Sequence, residues 1–376
     1  MHNRADWALA LRRILEEELV GLVAPGGVLA VARRGESGWQ CAVAAAGTLE
    51  PRLAEPNQAE PVTTETIYDL ASLTKPVVAC VALGLAERSP GLLNEPLATF
   101  LPQLAAQPAA KTNLELLLSH RAGLIAHREL FAPLKTGGSV DYQASLELAA
   151  DSFRGDFDAH PSQSYPAVYS DLGYLLAGAA LEAYAHKTLE EQVTELAKSW
   201  QLDGTLTCAR GLSDAATVAP TEDVDWRGGR VRRLVHDENA FALKGPGLCG
   251  HAGLFGDAAC FLRFGATLLD CLHGSGPLSP GTLSRALTPR PGGSYLLGFD
   301  SRSSEGSSAG QRFSLASFGH LGFTGTSLWC DPRSDVAAVL LSNRVCPSRD
   351  NIAIRGARPR IHDRVHRLCT ETSGSN

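Results

Sequence analysis

The sequence lacks three features, each of which would assign it to a particular class of protein. No apolar run within its 376 residues is long enough to cross a membrane as a helix. None of its nine cysteines forms a C-x-x-C pair, so we expect reduced thiols, no metal site and no disulfide framework. A basic excess is also missing, since the formal net charge is −6 and the isoelectric point about 6.0. Nucleic acid is therefore not an expected partner, because phosphate binding needs a basic face.

The first residues also lack the apolar core and small-residue cleavage site of a secretory signal. Apolar residues recur there at helical spacing instead, and charged residues fill the opposite face. The apolar positions are Trp7, Leu11, Ile14, Leu15, Leu19 and Leu22. This pattern predicts an amphipathic surface helix and, together with the reduced cysteines, a cytoplasmic protein without a membrane span.

The remaining composition is that of an ordinary globular protein, with 44% hydrophobic and 20% charged residues. Strand patterns occur near both ends of the chain and helical patterns between them. The strand candidates are residues 27–35, 39–46, 312–319, 326–330 and 335–341; the helix candidates are 76–85, 114–118, 144–150, 172–184, 189–200 and 361–368.

This order predicts an α+β fold in which an antiparallel sheet, built from both termini and flanked by helices, carries a mainly helical inserted region. We assign residues 1–75 and 245–376 to the sheet region and 76–244 to the insertion. An active site is expected in the cleft between the two regions. The oligomeric state stays open.

A serine and a lysine three positions apart, Ser72 and Lys75, stand at the start of the apolar segment 76–85. In a helix this S-x-x-K spacing puts both side chains on one face, about one turn apart. A serine hydroxyl becomes a nucleophile when a base takes its proton, and a lysine in a dry site can be that base. Serine at a helix start is more often a simple cap, so downstream partners are needed.

Two later segments carry polar groups suited to a cleft. Tyr169 and Asp171 precede a helical run, where a phenolate near a lysine could accept the serine proton. The same two residues could equally be a packed loop aromatic and a helix cap. His320, Gly322 and Phe323 lie in a glycine-rich segment, which permits close backbone approach and an N–H donor for an oxyanion, or forms a plain turn between strands.

Taken together, the motifs at residues 72–75, 169–171 and 320–322 resemble those of the serine β-lactamase-like superfamily. The closest match is its class C branch, which also holds D-alanyl-D-alanine peptidases and family VIII carboxylesterases. The ordered set in that family is S-x-x-K, Y-x-N and K-T-G or a variant such as H-x-G. The segments 116–124 and 250–255 are similar to two further stretches of the family, so the resemblance covers most of the chain.

The resemblance implies a serine hydrolase that forms an acyl-enzyme with a small acyl substrate and uses no cofactor. In that mechanism Ser72 attacks the carbonyl, while Lys75 and Tyr169 share the general-base and proton-shuttle work. The backbone N–H groups of Ser72 and Phe323 form the oxyanion hole. His320 and Gly322 line the opposite wall, and water then releases the acyl group.

The chain departs from the family pattern at two positions. Asp171 stands where the family has asparagine, and an ionised carboxylate can only accept hydrogen bonds. A carboxylate near Lys75 would favour the ammonium form of that lysine, which makes Tyr169 the better candidate base. His320 stands where the family has lysine, and histidine is mostly neutral at pH 7. Both changes argue against anionic amide substrates and favour small neutral esters.

Three functions stay open at this point. An esterase-like serine hydrolase is the preferred interpretation. A β-lactamase or D-alanyl-D-alanine carboxypeptidase is the alternative, and a non-catalytic binding protein on the same scaffold is the third. A G-x-G-x-x-G match at residues 245–250 follows no strand and therefore does not predict a dinucleotide site. Residues 236–239 contain possible metal ligands, but we interpret them as hydrogen bonding that fixes a loop beside the cleft.

Overall fold

The computed structural model describes residues 4–51, 59–154, 165–202 and 204–371 of the chain. The helices within these ranges are α1 Arg4–Glu18, α2 Thr74–Arg88, α3 Leu97–Phe100, α4 Leu114–Leu118, α5 Tyr142–Asp151, α6 Asp171–Ala185, α7 Leu189–Ser199, α8 Glu238–Lys244, α9 Ala258–Leu272, α10 Pro280–Ala286 and α11 Ile354–Thr370. The strands are β1 Gly26–Gly35, β2 Gly38–Gly47, β3 Tyr68–Asp69, β4 Leu206–Cys208, β5 Asp223–Val224, β6 Gly229–Arg230, β7 Leu254–Gly256, β8 Asp300–Ser301, β9 Phe318–Leu321, β10 Ser327–Asp331 and β11 Val336–Ser342.

A six-stranded antiparallel sheet with the order β2-β1-β11-β10-β9-β8 forms the centre of the molecule. Its two central neighbours come from opposite ends of the chain. Gly27 of β1 lies opposite Ser342 of β11, and the register continues to Arg33 opposite Val336. The prediction of an α+β fold with a sheet built from both termini is therefore confirmed.

Both faces of this sheet are buried, which the alternation of side chains along β1 makes possible. Leu29 and Val31 point into a core that they share with α1 and α11. Val28 and Ala30 point the other way, into the larger core that contains α2, α6 and α9. The sheet thus lies between a terminal helix pair and a helical layer.

A second sheet of three short strands, in the order β3-β7-β4, lies beside this core. Strand β3 leads directly into the 3₁₀ turn Ala71–Leu73 and then into α2, whose first ten residues are buried. Because Tyr68 and Asp69 pair with β7, the chain just before β7 is held close to the start of α2. This pairing brings two distant segments to one site.

The strand predicted at residues 312–319 is wrong over most of its length, because only Phe318 and Gly319 belong to β9. Carboxylates take the backbone N–H groups that a strand would pair. Asp331 accepts from the Ser314 N–H at 2.9 Å, and Asp363 accepts from the N–H groups of residues 311 and 312. The last predicted helix, 361–368, is correct but forms part of the longer α11.

None of the helices in the described ranges combines the length and the apolar character that a membrane crossing requires. None of the nine cysteines, all within the described ranges, forms a disulfide bond, and every one except Cys41 is buried.

Candidate active site

Ser72 lies in the 3₁₀ turn between β3 and α2, so it comes just before the helix rather than inside it. The carboxylate of Asp69 shapes this turn by accepting the Ala71 N–H at 2.8 Å and the His236 N–H at 2.7 Å. Ala71 itself has a φ of 48°, a left-handed conformation that residues with a Cβ rarely adopt. Such local strain is a recurrent feature of functional turns.

Lys75 is completely buried and faces Ser72 from the first turn of α2. Its Nζ donates to Ser72 Oγ at 2.9 Å and to the backbone oxygen of His251 at 3.1 Å. The third neighbour is Asp171 Oδ1, which lies 2.7 Å from Nζ as an ion-pair partner. Two of the three ammonium hydrogens thus have acceptors, and Asp171 is a charge partner without hydrogen-bond geometry. The carboxylate favours the ammonium form of Lys75.

Tyr169 is the second donor to the serine, with its hydroxyl 2.5 Å from Ser72 Oγ. Burial raises the pKa of Tyr169 well above its ordinary value, the charge of Asp171 raises it further, and the hydrogen bond to Ser72 opposes both. Lys75 Nζ lies 4.7 Å from the centre of the tyrosine ring. Tyr169 is thus a neutral phenol in the resting site, beside a cation that can stabilise its phenolate.

His120 orders the segment that carries Tyr169. It lies in the segment 116–124 that resembles the family, but the sequence analysis assigned it no role. Its Nδ1 accepts the Ser170 N–H at 3.0 Å, and its ring lies 4.7 Å from that of Tyr169, centre to centre. Burial and then the charge of Lys75 lower the pKa of His120 well below its usual value. A neutral imidazole therefore holds the tyrosine loop against α6.

Asp171 is not the cap of α6, which was one of its two possible roles. The cap is Ser170, whose Oγ accepts the Gly173 N–H at 3.2 Å. Asp171 is the first residue of the helix, and this frees its carboxylate for Lys75. Oδ1 is buried and lies at ion-pair distance from the lysine without forming a hydrogen bond, and no described residue donates a hydrogen bond to Oδ2.

The loop between β9 and β10 forms the wall opposite Ser72. Gly322 must be a glycine because a Cβ there would lie 1.9 Å from Thr326 Oγ1 and 2.6 Å from the backbone oxygen of Leu70. The Thr326 hydroxyl donates to that same Leu70 oxygen at 3.0 Å, which ties the loop to the nucleophile turn. The Phe323 N–H has no acceptor in the part of the chain that the structure describes, so it is available to a developing oxyanion.

His320 is almost fully buried in the same wall, and its protonation state follows from one contact. Its Nδ1 lies 2.8 Å from the backbone oxygen of Leu321, which can only accept, so Nδ1 carries the hydrogen. Burial and then the charge of Lys75 lower the pKa of His320 to about 3. The side chain is therefore a neutral acceptor through Nε2, and it cannot serve as the fixed cation that lysine provides in the related motif.

A buried ion pair between Asp237 and His251 supports Lys75 through the backbone of His251. The sequence analysis interpreted residues 236–239 only as hydrogen bonding that fixes a loop. Asp237 Oδ1 lies 2.9 Å from Nε2 of His251, whose backbone oxygen is the acceptor for Lys75. Burial alone lowers the pKa of His251, but the charge and hydrogen bond of Asp237 outweigh it and raise that pKa to about 10. Asp237 also caps α8 by accepting the Ala240 N–H at 2.8 Å.

The Asp237→Asn variant tests this pair. The raised pKa of His251 stabilises the fold fully below the ordinary value of 6.5, and the contribution is lost as pH rises to about 10. Asparagine keeps the cap and the acceptor but removes the charge. We expect the wild type to be more stable by about 3 kcal/mol near pH 6, a gap that shrinks towards pH 10. Thermal unfolding across this range measures it, and a gap independent of pH would contradict the pair.

The groups described here line one cavity of about 530 Å³. Ser72, Tyr169, Asp171, His320, Gly322 and Phe323 all reach it. Lys75 lies beneath its floor. The structure therefore brings every predicted site residue together. Among the described residues no group of three or more His, Cys, Asp or Glu side chains is arranged to hold a metal ion.

Comparison with known proteins agrees with this arrangement. The family model described as Beta-lactamase matches residues 11–358, which is most of the chain. The chain belongs to the Beta-lactamase family. A curated relative in this family is 27% identical over 318 residues, 75% of this chain and 68% of its own length, and is named N-acetylmuramyl-L-alanine amidase of Bacillus subtilis (strain 168). Another is 28% identical over 314 residues, 75% of this chain and 70% of its own, and is named a putative D-alanyl-D-alanine carboxypeptidase of Escherichia coli (strain K12).

Solved structures share the fold of this family member at lower identity. EstCE1, described as a hydrolase with promiscuous acyltransferase activity, matches with a TM-score of 0.69 and 20% identity over 95% of this chain and 99% of its own. The D-amino acid amidase of Ochrobactrum anthropi SV3 matches with a TM-score of 0.66 and 20% identity over 96% of this chain and 98% of its own. At these identities the likeness concerns the fold.

Proposed function

We propose that this chain is a serine hydrolase that works through an acyl-enzyme on Ser72. The single observation that carries the proposal is that Ser72 Oγ, at the wall of the cavity, accepts from both Lys75 Nζ at 2.9 Å and the Tyr169 hydroxyl at 2.5 Å. A structural serine needs no such pair of donors. The hydrolase and amidase names among its relatives and structural neighbours support the same reaction class.

In the resting site both neighbours of Ser72 are donors, so one proton must leave before the serine can act. Tyr169 is the group that we propose loses it, because Lys75 is held as an ammonium by Asp171 and stabilises the phenolate. The phenolate takes the Ser72 proton as Oγ bonds to the carbonyl carbon. The same proton then passes to the leaving group as the acyl bond breaks.

The negative charge that develops on the carbonyl oxygen needs donors close to Ser72. We assign this role to the backbone N–H groups of Ser72 and Phe323. The loop that carries Phe323 is braced from behind by Arg358, which donates to the backbone oxygens of Gly322 at 2.7 Å and Thr326 at 2.8 Å. A water molecule then attacks the acyl-enzyme, with Tyr169 again as the base. In this proposal residues 76–244 form the mainly helical inserted region, and the active site lies in the cleft between it and the sheet region.

Covalent labelling tests the nucleophile. A fluorophosphonate probe is expected to add one adduct to the wild type, at Ser72 by peptide mass mapping, and none to Ser72→Ala. Ser170→Ala is not a suitable control because it removes a helix cap; Ser334→Ala, away from the cavity, is the matched serine control and keeps labelling. Absence of an adduct on the folded wild type would support a non-catalytic binding protein instead.

A carboxypeptidase or β-lactamase activity is the second candidate, and the curated relatives named as D-alanyl-D-alanine carboxypeptidases favour it. Neutral His320, at the position of the lysine in the related motif, argues against it, and the carboxylate of Asp171 would repel a substrate carboxylate. We expect faster turnover of a p-nitrophenyl acyl ester than of a chromogenic cephalosporin. The reverse order would replace the esterase-like assignment with the second candidate.

A further inference from the structure

The wall beside Ser72 carries hydrogen-bond acceptors that no protein group uses. Asp171 Oδ2 is one of them, since only Oδ1 faces Lys75. His320 Nε2 is the other, in a side chain that is only 4% exposed and whose Nδ1 is engaged with Leu321. Both residues line the cavity, and neither atom has a hydrogen-bond partner among the described residues. Neither atom is among the fully buried polar atoms, so a donor on a bound molecule can reach both from the cavity.

A third residue of this wall, Asp300, is acidic; burial raises the pKa of its carboxyl, and hydrogen bonds from Ser294 and Ser301 oppose this. Asp300 lines the cavity, and within the described ranges no lysine, arginine or histidine pairs with it. Its Oδ1 accepts no hydrogen bond there. Tyr295 lines the same cavity: burial raises its pKa to about 12, and the charges of Asp300 and Asp171 add to this effect. Asp171 has Lys75 as its charge partner, whereas Asp300 is an acceptor without a cationic partner among the described residues.

The cations of the same cavity are mostly committed elsewhere. Arg349 pairs with Glu222 and Glu238, and Arg344 donates to backbone oxygens, including that of Phe323 at 2.9 Å. Only Arg355, exposed on the first turn of α11, has no such partner in the described chain. The unused groups next to the nucleophile are therefore acceptors.

We propose that Asp171, Tyr295, Asp300 and His320 form a subsite for a protonated amino group, so that the substrates are esters or amides of amino acids with a free ammonium. Asp171 Oδ2 and His320 Nε2 accept its N–H bonds, and Asp300 attracts it through its charge. A carboxylate in the same place would meet acceptors instead of donors from these residues. This inference rests on the proposed function and names the substrate class of that site.

A panel of matched methyl esters tests the substrate class. Alanine methyl ester, as each enantiomer, carries the ammonium; methyl propanoate lacks it; monomethyl succinate carries a carboxylate. Each kcat/KM at about pH 7 is divided by the rate constant of the same ester with hydroxide, which removes intrinsic reactivity. For one enantiomer of the alanine ester we expect a normalised value at least about tenfold above methyl propanoate, as one charge-assisted hydrogen bond produces. Monomethyl succinate is expected to be the poorest.

Two variants locate the preference. Asp300→Asn should bring the ratio of alanine ester to propanoate towards one, and His320→Lys should raise monomethyl succinate above propanoate. Asp141→Asn, an exposed cap of α5 outside the cavity, is the matched control and should leave all ratios unchanged. Equal normalised values for the alanine and propanoate esters in the wild type, or an unchanged ratio in Asp300→Asn, overturn the subsite. Either result leaves the proposed function standing if intact mass still shows an acyl group on Ser72; if no ester acylates Ser72, the proposed function itself fails.

Discussion

Replacing Asp171 by asparagine is expected to raise kcat/KM for a neutral ester at pH 7 on the order of tenfold. The carboxylate lies 2.7 Å from Lys75 and contributes to the raised pKa of Tyr169, after burial. Removing its charge lowers the pKa of the phenol, and a base with a lower pKa is deprotonated in a larger fraction of molecules at pH 7. A fall of one pKa unit corresponds to a tenfold change in that fraction.

The measurement is the pH dependence of kcat/KM for methyl propanoate from about pH 6 to about pH 10. The wild type should gain activity towards the alkaline end, because a raised pKa delays formation of the base. The profile of Asp171→Asn should be displaced to lower pH, while Asp141→Asn should follow the wild type. A fall in activity at every pH would mean that Asp171 itself receives a proton during the reaction.

Replacing Lys75 by methionine should have the larger effect on stability. Lys75 is fully buried, and its removal leaves the carboxylate of Asp171 without a cation in a largely enclosed position. Loss of one partner of a buried pair costs about 3–5 kcal/mol. Activity should fall by about a thousandfold or more, since neither the Tyr169 phenolate nor Ser72 retains its cation.

The double variant Lys75→Met, Asp171→Asn separates the two effects. We expect it to regain most of the lost stability, because the uncompensated charge is gone, and to remain inactive. Urea unfolding of the four proteins of this cycle measures the coupling free energy. Additive changes, with no recovery in the double variant, would show that the two side chains do not interact in solution.

The candidate residues named from the sequence line or adjoin one cavity, whereas one of the predicted strands is wrong over most of its length. Ser72, Lys75 and Tyr169 belong to ordered motifs that can be recognised in the sequence. The residues that support the site lie outside those motifs. His120 accepts from Ser170, 50 positions later in the chain, and Lys75 donates to the backbone oxygen of His251, 176 positions later. No local spacing shows contacts of this kind, nor the pairing of Asp237 with His251.

The strand predicted at residues 312–319 shows that a strand pattern in the sequence can occur where no strand forms. Its residues have the alternation of a strand, but the carboxylates of Asp331 and Asp363 bind the N–H groups that a ladder would use. Both acceptors come from later in the chain. Conversely, the odd placement of Asp171 was visible in the sequence, and its pairing with Lys75 is what the departure from Y-x-N suggested.

The tie between the Ser72 turn and the β9–β10 loop has a consequence for biosynthesis. The hydroxyls of Thr324 and Thr326 bond to the backbone oxygens of Asp69 and Leu70, partners 255 and 256 residues away. A nascent chain in which these threonines have not yet emerged from the ribosome contains Ser72 but lacks the β9–β10 loop that faces it. On the proposed function, acyl transfer therefore requires the synthesis of the chain as far as the β9–β10 loop.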